Sequence, residues 1–343
     1  MSTSSPSPEN PRIALLTTGG TISSSTDSEG VVRNDVGRGA PELPVELAAQ
    51  LPAGLSVEAR EVFSVDSSQM TDEQRLLLCR AIDEALSDPE IAGVVVTHGT
   101  DSMADSAMAA DLYHRDPRPV VFTGAQHAAD HPAPDGPANL FDAYQVVLSE
   151  SAHGLGTLVV FGRAIMQARG VAKWHTTDEL AFARNAQDET PAASGSNPGS
   201  SSSAERPTLD LPAEGIEWPR VECVWAGSGA SATALEALID SGIAGYVLVA
   251  MGLGNLPASV AEVAAAHSEI PFALTSTVPR GAVVPTYGGP GGGAELATTG
   301  ALPTGWLRGG QARVTLAALL ADAPGESHAE RARRFAGFAG LPA

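Results

Sequence analysis

The strongest constraint on the fold is a recurring pattern in which a short apolar run ends in a turn that contains glycine or threonine. The runs occupy residues 13–17 (IALLT), 94–97 (VVVT), 120–123 (VVFT) and 158–161 (LVVF). Such runs are typical of buried strands, and stretches of helical composition lie between them. Strands that alternate with helices indicate an α/β fold with a mostly parallel sheet covered on both faces.

Two of the intervening stretches carry helix signals. Residues 71–74 (TDEQ) have the form of a capping box and predict a helix through about Leu86, and residues 102–112 predict a second helix after a polar start. In parallel sheets, ligands bind beyond the carboxyl ends of the strands. The turns that follow the apolar runs are therefore the first places to search for a functional site.

Chain length and one polar segment predict two domains. Single cores stop growing at roughly 250–300 residues, and this chain has 343. Residues 187–206 are too rich in Ser, Gly and Pro to join a core. We expect a larger N-terminal domain with a mostly parallel sheet at residues 10–205, ending in this loop, and a smaller C-terminal α/β domain of about five elements at residues 218–343.

Charge and cysteine content narrow the function. A net charge of −20 disfavours nucleic acid and anionic membranes as partners, whereas small uncharged or zwitterionic substrates remain open. No stretch approaches the ~18 apolar residues of a membrane span, and the first eleven residues do not resemble a secretory signal, so we expect a cytoplasmic protein. Cys79 and Cys223 lie far apart and predict reduced, structural thiols without a metal cluster.

Lys173 is the only lysine in the chain, and every other basic residue is arginine. A lysine can be tuned to accept and donate a proton, whereas arginine stays charged in proteins. The retained lysine therefore suggests a position where arginine cannot serve. A chance remnant on the surface is equally consistent with this fact alone.

Three turns carry reactive side chains. Thr21 follows the paired glycines 19 and 20, where backbone N–H groups can approach a ligand and a hydroxyl can act as a nucleophile, although a phosphate loop or an ordinary turn also fits. In residues 97–102 (THGTDS), Asp101 and Ser102 either surround a ligand or merely cap the next helix. Lys173 follows the run at 158–161, and a lysine beside a carboxylate can take a proton from threonine or water.

Together these segments resemble the bacterial-type L-asparaginase family. Its two signatures are present as residues 18–22 (TGGTI) and 97–101 (THGTD), with Thr100 lying 79 positions after Thr21. Further matches occur in order at residues 66–68 (DSS), 123–125 (TGA), 135–140 (DGPANL) and 252–256 (GLGNL). The resemblance extends from about Arg12 to Leu319 and implies that residues 10–205 form the catalytic domain.

The resemblance implies an amidohydrolase without cofactor or metal that acts on L-asparagine, with glutaminase activity as a side reaction left open. Thr21 matches the nucleophile, and Thr100, Asp101 and Lys173 match the set that activates water and moves protons. The residues implied in substrate binding are Gly20, Ser67, Ser68, Thr100, Asp101, Ala125 and Asn255. Asn255 matches a residue that serves a neighbouring subunit, which implies a homodimer or homotetramer. His98, inside the second signature, is expected to brace its turn.

The chain departs from the family at two functional positions. Thirteen residues past the nucleophile, where many members carry a loop tyrosine, this chain has Asn34. Tyr287 is either a substitute or an ordinary turn aromatic. A glutamate that the family supplies from the partner subunit aligns with the glycine-rich run at 288–293, and the nearby Glu295 is either its replacement or a solvated charge.

Two other functions are compatible with the same fold. A non-catalytic amino-acid-binding module is favoured by the missing loop tyrosine, but Lys173 and both threonines argue against it. An ammonia-supplying amidotransferase subunit must contact tRNA, which the charge of −20 disfavours. The choice between asparagine and glutamine stays open, because one methylene changes binding by only ~1–3 kcal/mol.

Overall fold

The computed structural model describes residues 10–29, 31–34, 42–186 and 206–341. They divide into two compact units. The N-terminal unit contains the described residues up to Ala168 together with Lys173–Phe182, and the C-terminal unit contains Arg169–Ala172 and the described residues from Ala183 onward. Except for its last residue, the loop expected at 187–206 lies outside the described residues, and the domain boundaries at 205 and 218 stay a prediction.

The chain alternates strands and helices along most of its length. The strands are β1 (Arg12–Thr17), β2 (Ser24–Thr26), β3 (Val32–Asn34), β4 (Ser56–Glu61), β5 (Ile91–Thr97), β6 (Val120–Thr123), β7 (Thr157–Phe161), β8 (Ala164–Gln167), β9 (Val171–Lys173), β10 (Phe182–Arg184), β11 (Val221–Trp225), β12 (Gly245–Ala250), β13 (Phe272–Ser276) and β14 (Ala301–Pro303). The helices are α1 (Val45–Ala48), α2 (Asp72–Leu86), α3 (Met103–Tyr113), α4 (Gly136–Val147), α5 (Thr233–Asp240), α6 (Ala258–Ala266), α7 (Gly293–Thr298), α8 (Gly309–Asp322) and α9 (His328–Ala339).

The N-terminal unit is built on a sheet with the strand order β4-β1-β5-β6-β7-β8. All neighbouring strands in it run parallel except β7 and β8, which are antiparallel. In the register of the sheet, Thr17 pairs with Thr97 and Thr97 pairs with Thr123. The carboxyl ends of β1, β5 and β6 therefore lie side by side at one edge, as the α/β prediction requires.

Local signals position the helices of this sheet. Thr71 caps α2, and the reciprocal capping box with Gln74 is present, so the helix predicted from residue 71 through about Leu86 is confirmed. Helix α4 covers the sheet over a core of fully or nearly fully buried residues, in which each large aliphatic side chain contributes about 1.5–3 kcal/mol. The core residues are Ile13, Leu15, Val95, Val121, Leu140, Ala143, Tyr144, Val146, Val147, Ala152, Leu158 and Val160.

The C-terminal unit has a parallel sheet with the order β11-β12-β13-β14. The expectation of about five elements was wrong, because the described part of this unit holds these four strands and helices α5 to α9. Helix α8 was not predicted from the sequence. It is apolar and buried around most of its circumference, so it lacks the two-faced pattern of a surface helix. Ser327 caps the start of helix α9, because its side chain accepts a hydrogen bond from the Glu330 N–H.

The two cysteines differ in environment. They are not joined in a disulfide, and Cys79 is buried on α2 while Cys223 is exposed on β11. Burial raises the pKa of the Cys79 thiol to about 12. A structural role in packing therefore fits Cys79 alone.

None of the helices in the described ranges is long and apolar enough to cross a membrane.

Candidate active site

The two glycine-containing turns are in direct contact. The backbone N–H and the hydroxyl of Thr18 both donate to the carbonyl of Thr97, at 3.1 and 3.0 Å. Gly20 has a φ of +92°, and a Cβ placed on it would lie 2.5 Å from both Cα and N of Gly99. Only glycine fits this backbone and this approach, so the two sequence motifs form one structural unit.

Thr21 opens a single 3₁₀ turn, Thr21–Ser23, directly after Gly20. The Gly20 carbonyl fixes this turn by accepting from the backbone N–H and hydroxyl of Ser23, both at 3.1 Å, and from the hydroxyl of Ser24 at 2.9 Å. Thr21 itself is half-buried, and its hydroxyl makes no hydrogen bond within the part of the chain that the structure describes. The neighbouring hydroxyls thus hold the backbone, while that of Thr21 is available to a ligand.

Lys173 meets the second turn. Its Nζ donates to Thr100 Oγ1 and to Asp101 Oδ1, each at 2.8 Å. Thr100 is buried, and the side chains of Lys173 and Asp101 are 23% and 59% exposed. A chance surface lysine would extend into solvent, whereas this one is mostly covered and held by two partners.

Ser67 is buried behind the same turn. Its Oγ accepts from the Asp101 N–H at 3.2 Å, and its carbonyl accepts from the Ser102 hydroxyl at 2.6 Å. Ser102 occupies the N-cap position of α3, but its side chain makes no capping hydrogen bond. Instead of capping α3, the Asp101 side chain accepts from Lys173 and the Ser102 side chain donates to Ser67. Ser68 is exposed, and its N–H donates to Asp66 Oδ1 at 3.0 Å.

His98 braces the turn, as expected. The ring is fully buried, and its Nδ1 lies 2.7 Å from the Gly99 carbonyl, so Nδ1 carries the proton and donates it. Its Nε2 has no hydrogen-bond partner among the described residues. Desolvation lowers the pKa of His98 to about 4. The imidazole is neutral near pH 7 and stays outside proton transfer there.

Ala125 lies in the turn after β6 and is almost fully buried. This turn is held by two residues of the 135–140 motif. Asp135 accepts backbone N–H groups from Gln126 and His127, and Asn139 donates to the Gly124 carbonyl at 3.0 Å. The sequence reasoning matched this motif to a family but missed these contacts, as it missed the contact of Ser102 with Ser67.

The expected residues of the C-terminal unit lie in its loops. Asn255 is half-buried in a tight turn, where its N–H donates to the Met251 carbonyl at 2.8 Å. Tyr287 is exposed, and the Glu295 carboxylate accepts from the Gly289 N–H at 2.9 Å. Glu295 therefore anchors its own loop and is not a purely solvated charge.

Asn34 is the last residue of β3, and its backbone pairs with Ser24 in the β2–β3 hairpin. Residues 35–41, which follow it, lie outside the described residues.

His127 and His131 stack at 4.2 Å between ring centroids. Over the described ranges, no three His, Cys, Asp or Glu side chains are grouped to hold a metal ion.

Comparison with known proteins decides the family. Residues 12–198 match the model described as Asparaginase, N-terminal, and residues 220–335 match the model described as Glutaminase/Asparaginase C-terminal domain. The chain belongs to the asparaginase family. The resemblance drawn from the turn motifs is thereby confirmed, and the two matches cover both units.

Individual asparaginases align over most of the chain. It is 32% identical over 324 residues to a probable L-asparaginase of Deinococcus radiodurans, which covers 90% of this chain and 93% of the relative. It is 32% identical over 280 residues to L-asparaginase 2 of Escherichia coli, covering 79% of each chain. A crystal structure of a probable cytoplasmic L-asparaginase from Campylobacter jejuni superposes with a TM-score of 0.76 at 26% identity, covering 95% of this chain and 99% of that one.

Proposed function

We propose that this protein is an L-asparaginase that hydrolyses the side-chain amide of L-asparagine to L-aspartate and ammonia, with Thr21 as the nucleophile. The observation that carries the proposal is the placement of Lys173 on Thr100 and Asp101. The turn holding these two residues contacts the turn that presents Thr21. One edge of the sheet thus offers an available hydroxyl and a hydroxyl already bonded to an ammonium.

The reaction proceeds through an ester. The Thr21 Oγ attacks the amide carbon, the hydroxyl proton passes to the amide nitrogen, and the C–N bond breaks to release ammonia. Water then attacks the aspartyl ester, the bond to Thr21 Oγ breaks, and aspartate leaves with the threonine hydroxyl restored. One water is consumed in each turnover. We assign Thr100, Asp101 and Lys173 to activating this water and moving its proton.

Substrate orientation follows from the same edge of the sheet. Ser67 and Ser68 are assigned to the α-carboxylate, and the exposed Asp101 carboxylate is assigned to the α-ammonium. The backbone of Gly20 is assigned to a close approach to the substrate, and the backbone of the Ala125 turn is assigned to the side-chain amide group. The geometry of Ser67 supports this assignment, because its Oγ accepts from the backbone N–H of Asp101 and keeps its own proton to donate.

The test of the nucleophile is Thr21→Ala, assayed by ammonia release from L-asparagine. We expect turnover to be abolished with the fold intact, because the half-buried hydroxyl has no hydrogen bond to lose within the described part of the chain. Thr298→Ala is the matched control, since that exposed hydroxyl bonds only a helix carbonyl of the C-terminal unit. Near wild-type rates in Thr21→Ala would exclude Thr21 as nucleophile. L-Aspartate binding without turnover in the wild type would favour the binding module instead.

The finer properties are proposals of their own. Initial rates on L-asparagine and L-glutamine decide the extent of glutaminase side activity. We further propose a homodimer or homotetramer in which Asn255 serves a neighbouring active site, and a cytoplasmic location. Activity measured across dilution, together with the mass in solution, tests the assembly, because a fully active monomer would contradict it.

A further inference from the structure

Asp135 occupies the N-cap position of α4 without capping it. An aspartate at this position normally accepts N–H groups from the first turn of its own helix, but this one makes no such hydrogen bond. Its two carboxylate oxygens instead accept from the Gln126 N–H, at 3.1 and 2.9 Å, and Oδ1 accepts from the His127 N–H at 2.9 Å. The side chain is diverted from its own helix to the turn that follows β6.

Asn139, one turn into α4, completes the hold on that turn. It is 4% exposed, and its Nδ2 donates to the Gly124 carbonyl at 3.0 Å and to Asp135 Oδ2 at 3.1 Å. Its Oδ1 accepts from the Gly162 N–H at 3.0 Å. Both the amide nitrogen and the amide oxygen of Asn139 are thus hydrogen-bonded. Ala125 lies between the Gly124 carbonyl, which Asn139 holds, and the Gln126 N–H, which Asp135 holds.

The first residue of α4 also contacts the loop of Thr21. A Cβ on Gly136 would lie 2.9 Å from Cγ1 of Ile22 and 3.4 Å from Cβ of Ala125. Ile22 is the buried residue directly after Thr21. The start of α4 therefore packs against the neighbour of the proposed nucleophile and against the turn proposed to face the amide.

We propose that Asp135 and Asn139 are positioning residues that set the backbone of the Gly124–Ala125 turn against the amide group that leaves as ammonia. This inference rests on the proposed threonine amidohydrolase function. Neither residue is assigned a contact with substrate. A carboxylate accepts hydrogen bonds at both oxygens, whereas a side-chain amide presents one acceptor oxygen and an NH₂ group that only donates. Asparagine at position 135 therefore either breaks a hydrogen bond or turns an N–H toward another N–H.

The experiment compares Asp135→Asn with the matched change Asp116→Asn. Asp116 is also half-buried and accepts a backbone N–H, that of Arg118, but it precedes β6 and so lies at the opposite end of that strand. We expect Asp135→Asn to lower kcat for L-asparagine by ~10–10²-fold, as a small misplacement of a reacting group does. KM should change by no more than about threefold, because the residues assigned to the α-groups are untouched. Asp116→Asn should keep wild-type kcat whatever it does to stability.

An ester substrate separates positioning from general damage. L-Aspartate β-methyl ester presents the same α-groups but no amide N–H, so the defect of Asp135→Asn should be several-fold smaller on the ester than on the amide. Equal losses on both substrates, or an unchanged kcat, would overturn the inference. If Asp135→Asn does not fold, Asn139→Ser supplies the same comparison, since it removes the donor to Gly124 from a smaller side chain. Failure of the proposed function is distinguishable, because only then would Thr21→Ala remain active.

Discussion

Lys173 Nζ lies 2.8 Å from Thr100 Oγ1, although the two residues are 73 positions apart in the chain. Lys173 ends the short strand β9, and the segment after it is tied back to the site, since Gln126 Nε2 donates to the Thr176 carbonyl at 3.1 Å. The lysine is therefore held by its side chain and through the segment that follows it.

The substitution Lys173→Arg separates charge from proton transfer. Arginine keeps the positive charge and can pair with Asp101, but it does not give up its proton. If Lys173 accepts a proton during the reaction, kcat should fall by ~10²–10⁴-fold. Steady-state rates, with circular dichroism to verify folding, measure this. Activity within a few-fold of wild type would reduce Lys173 to an electrostatic role, and Lys173→Met would then show what the charge contributes.

The β2–β3 hairpin after Thr21 should open more readily when Asp130 is removed. The Asp130 carboxylate accepts from the N–H and hydroxyl of Thr26, at 2.8 and 3.1 Å, and so joins the hairpin to the loop after β6. Each such bond contributes about 0.5–1.5 kcal/mol. We expect Asp130→Ala to speed hydrogen exchange of the hairpin amides and to raise KM several-fold.

The control for the hairpin is Asp178→Ala, because Asp178 Oδ1 accepts from the Leu180 N–H in an exposed turn and is not bonded to the hairpin. Saturating L-aspartate should slow the exchange in the wild type if the β2–β3 hairpin closes over the ligand. Exchange that is the same with and without aspartate would count against closure.

Burial of His98 predicts a loss of stability in mild acid. Its pKa is near 6.5 when unfolded and is lowered to about 4 in the folded protein, so between these values the unfolded state alone takes up a proton. The free energy of unfolding should be unaffected by His98 above about pH 6.5 and should fall by up to ~3 kcal/mol as pH falls toward 4. Denaturant unfolding of wild type and His98→Gln at pH 7.5 and 5 measures it. Parallel pH dependence in the two proteins would contradict the prediction.

Close packing of the second signature turn against Ser67 makes Gly99→Ala destabilising. A Cβ on Gly99 would lie 2.5 Å from Ser67 Oγ and 2.7 Å from Ser67 Cβ. We expect a loss of about 1–3 kcal/mol in unfolding free energy, together with weakened substrate binding if Ser67 holds the α-carboxylate as proposed. Gly325→Ala is the matched control, because a Cβ there meets nothing within 4 Å. Similar melting temperatures for the two variants would argue against the close packing.

The sequence predicted those parts of the fold that local patterns determine. The apolar runs identified β1, β5, β6 and β7, and the capping box placed the start of α2 correctly. Helix α8 was missed because burial on all sides removes the periodicity that marks a helix. Burial of α8 accounts for only one of the missed elements, since the described part of the C-terminal unit holds nine strands and helices against the expected five or so.

At the site, sequence supplied residue types and a family, whereas spatial contacts came only from the structure. Thr100, Asp101 and Lys173 could be named together, because the resemblance to the family implies this set. The bond from Ser102 to Ser67 joins residues 35 positions apart and leaves no local trace. Asp135 could not be predicted for a different reason. Its position directly before a helix is typical of an ordinary N-cap, and the proposed positioning role rests on hydrogen bonds that only the structure shows.

The different exposure of the two cysteines allows opening of the N-terminal unit to be followed by thiol modification. Cys223 is exposed, so an alkylating reagent can modify it in the folded protein. Cys79 reacts only when the N-terminal unit opens far enough to expose α2 and let the thiol ionise, because burial raises its pKa to about 12. The amount of doubly modified protein, measured over time by mass spectrometry, therefore reports the opening of that unit without an engineered label and without denaturant.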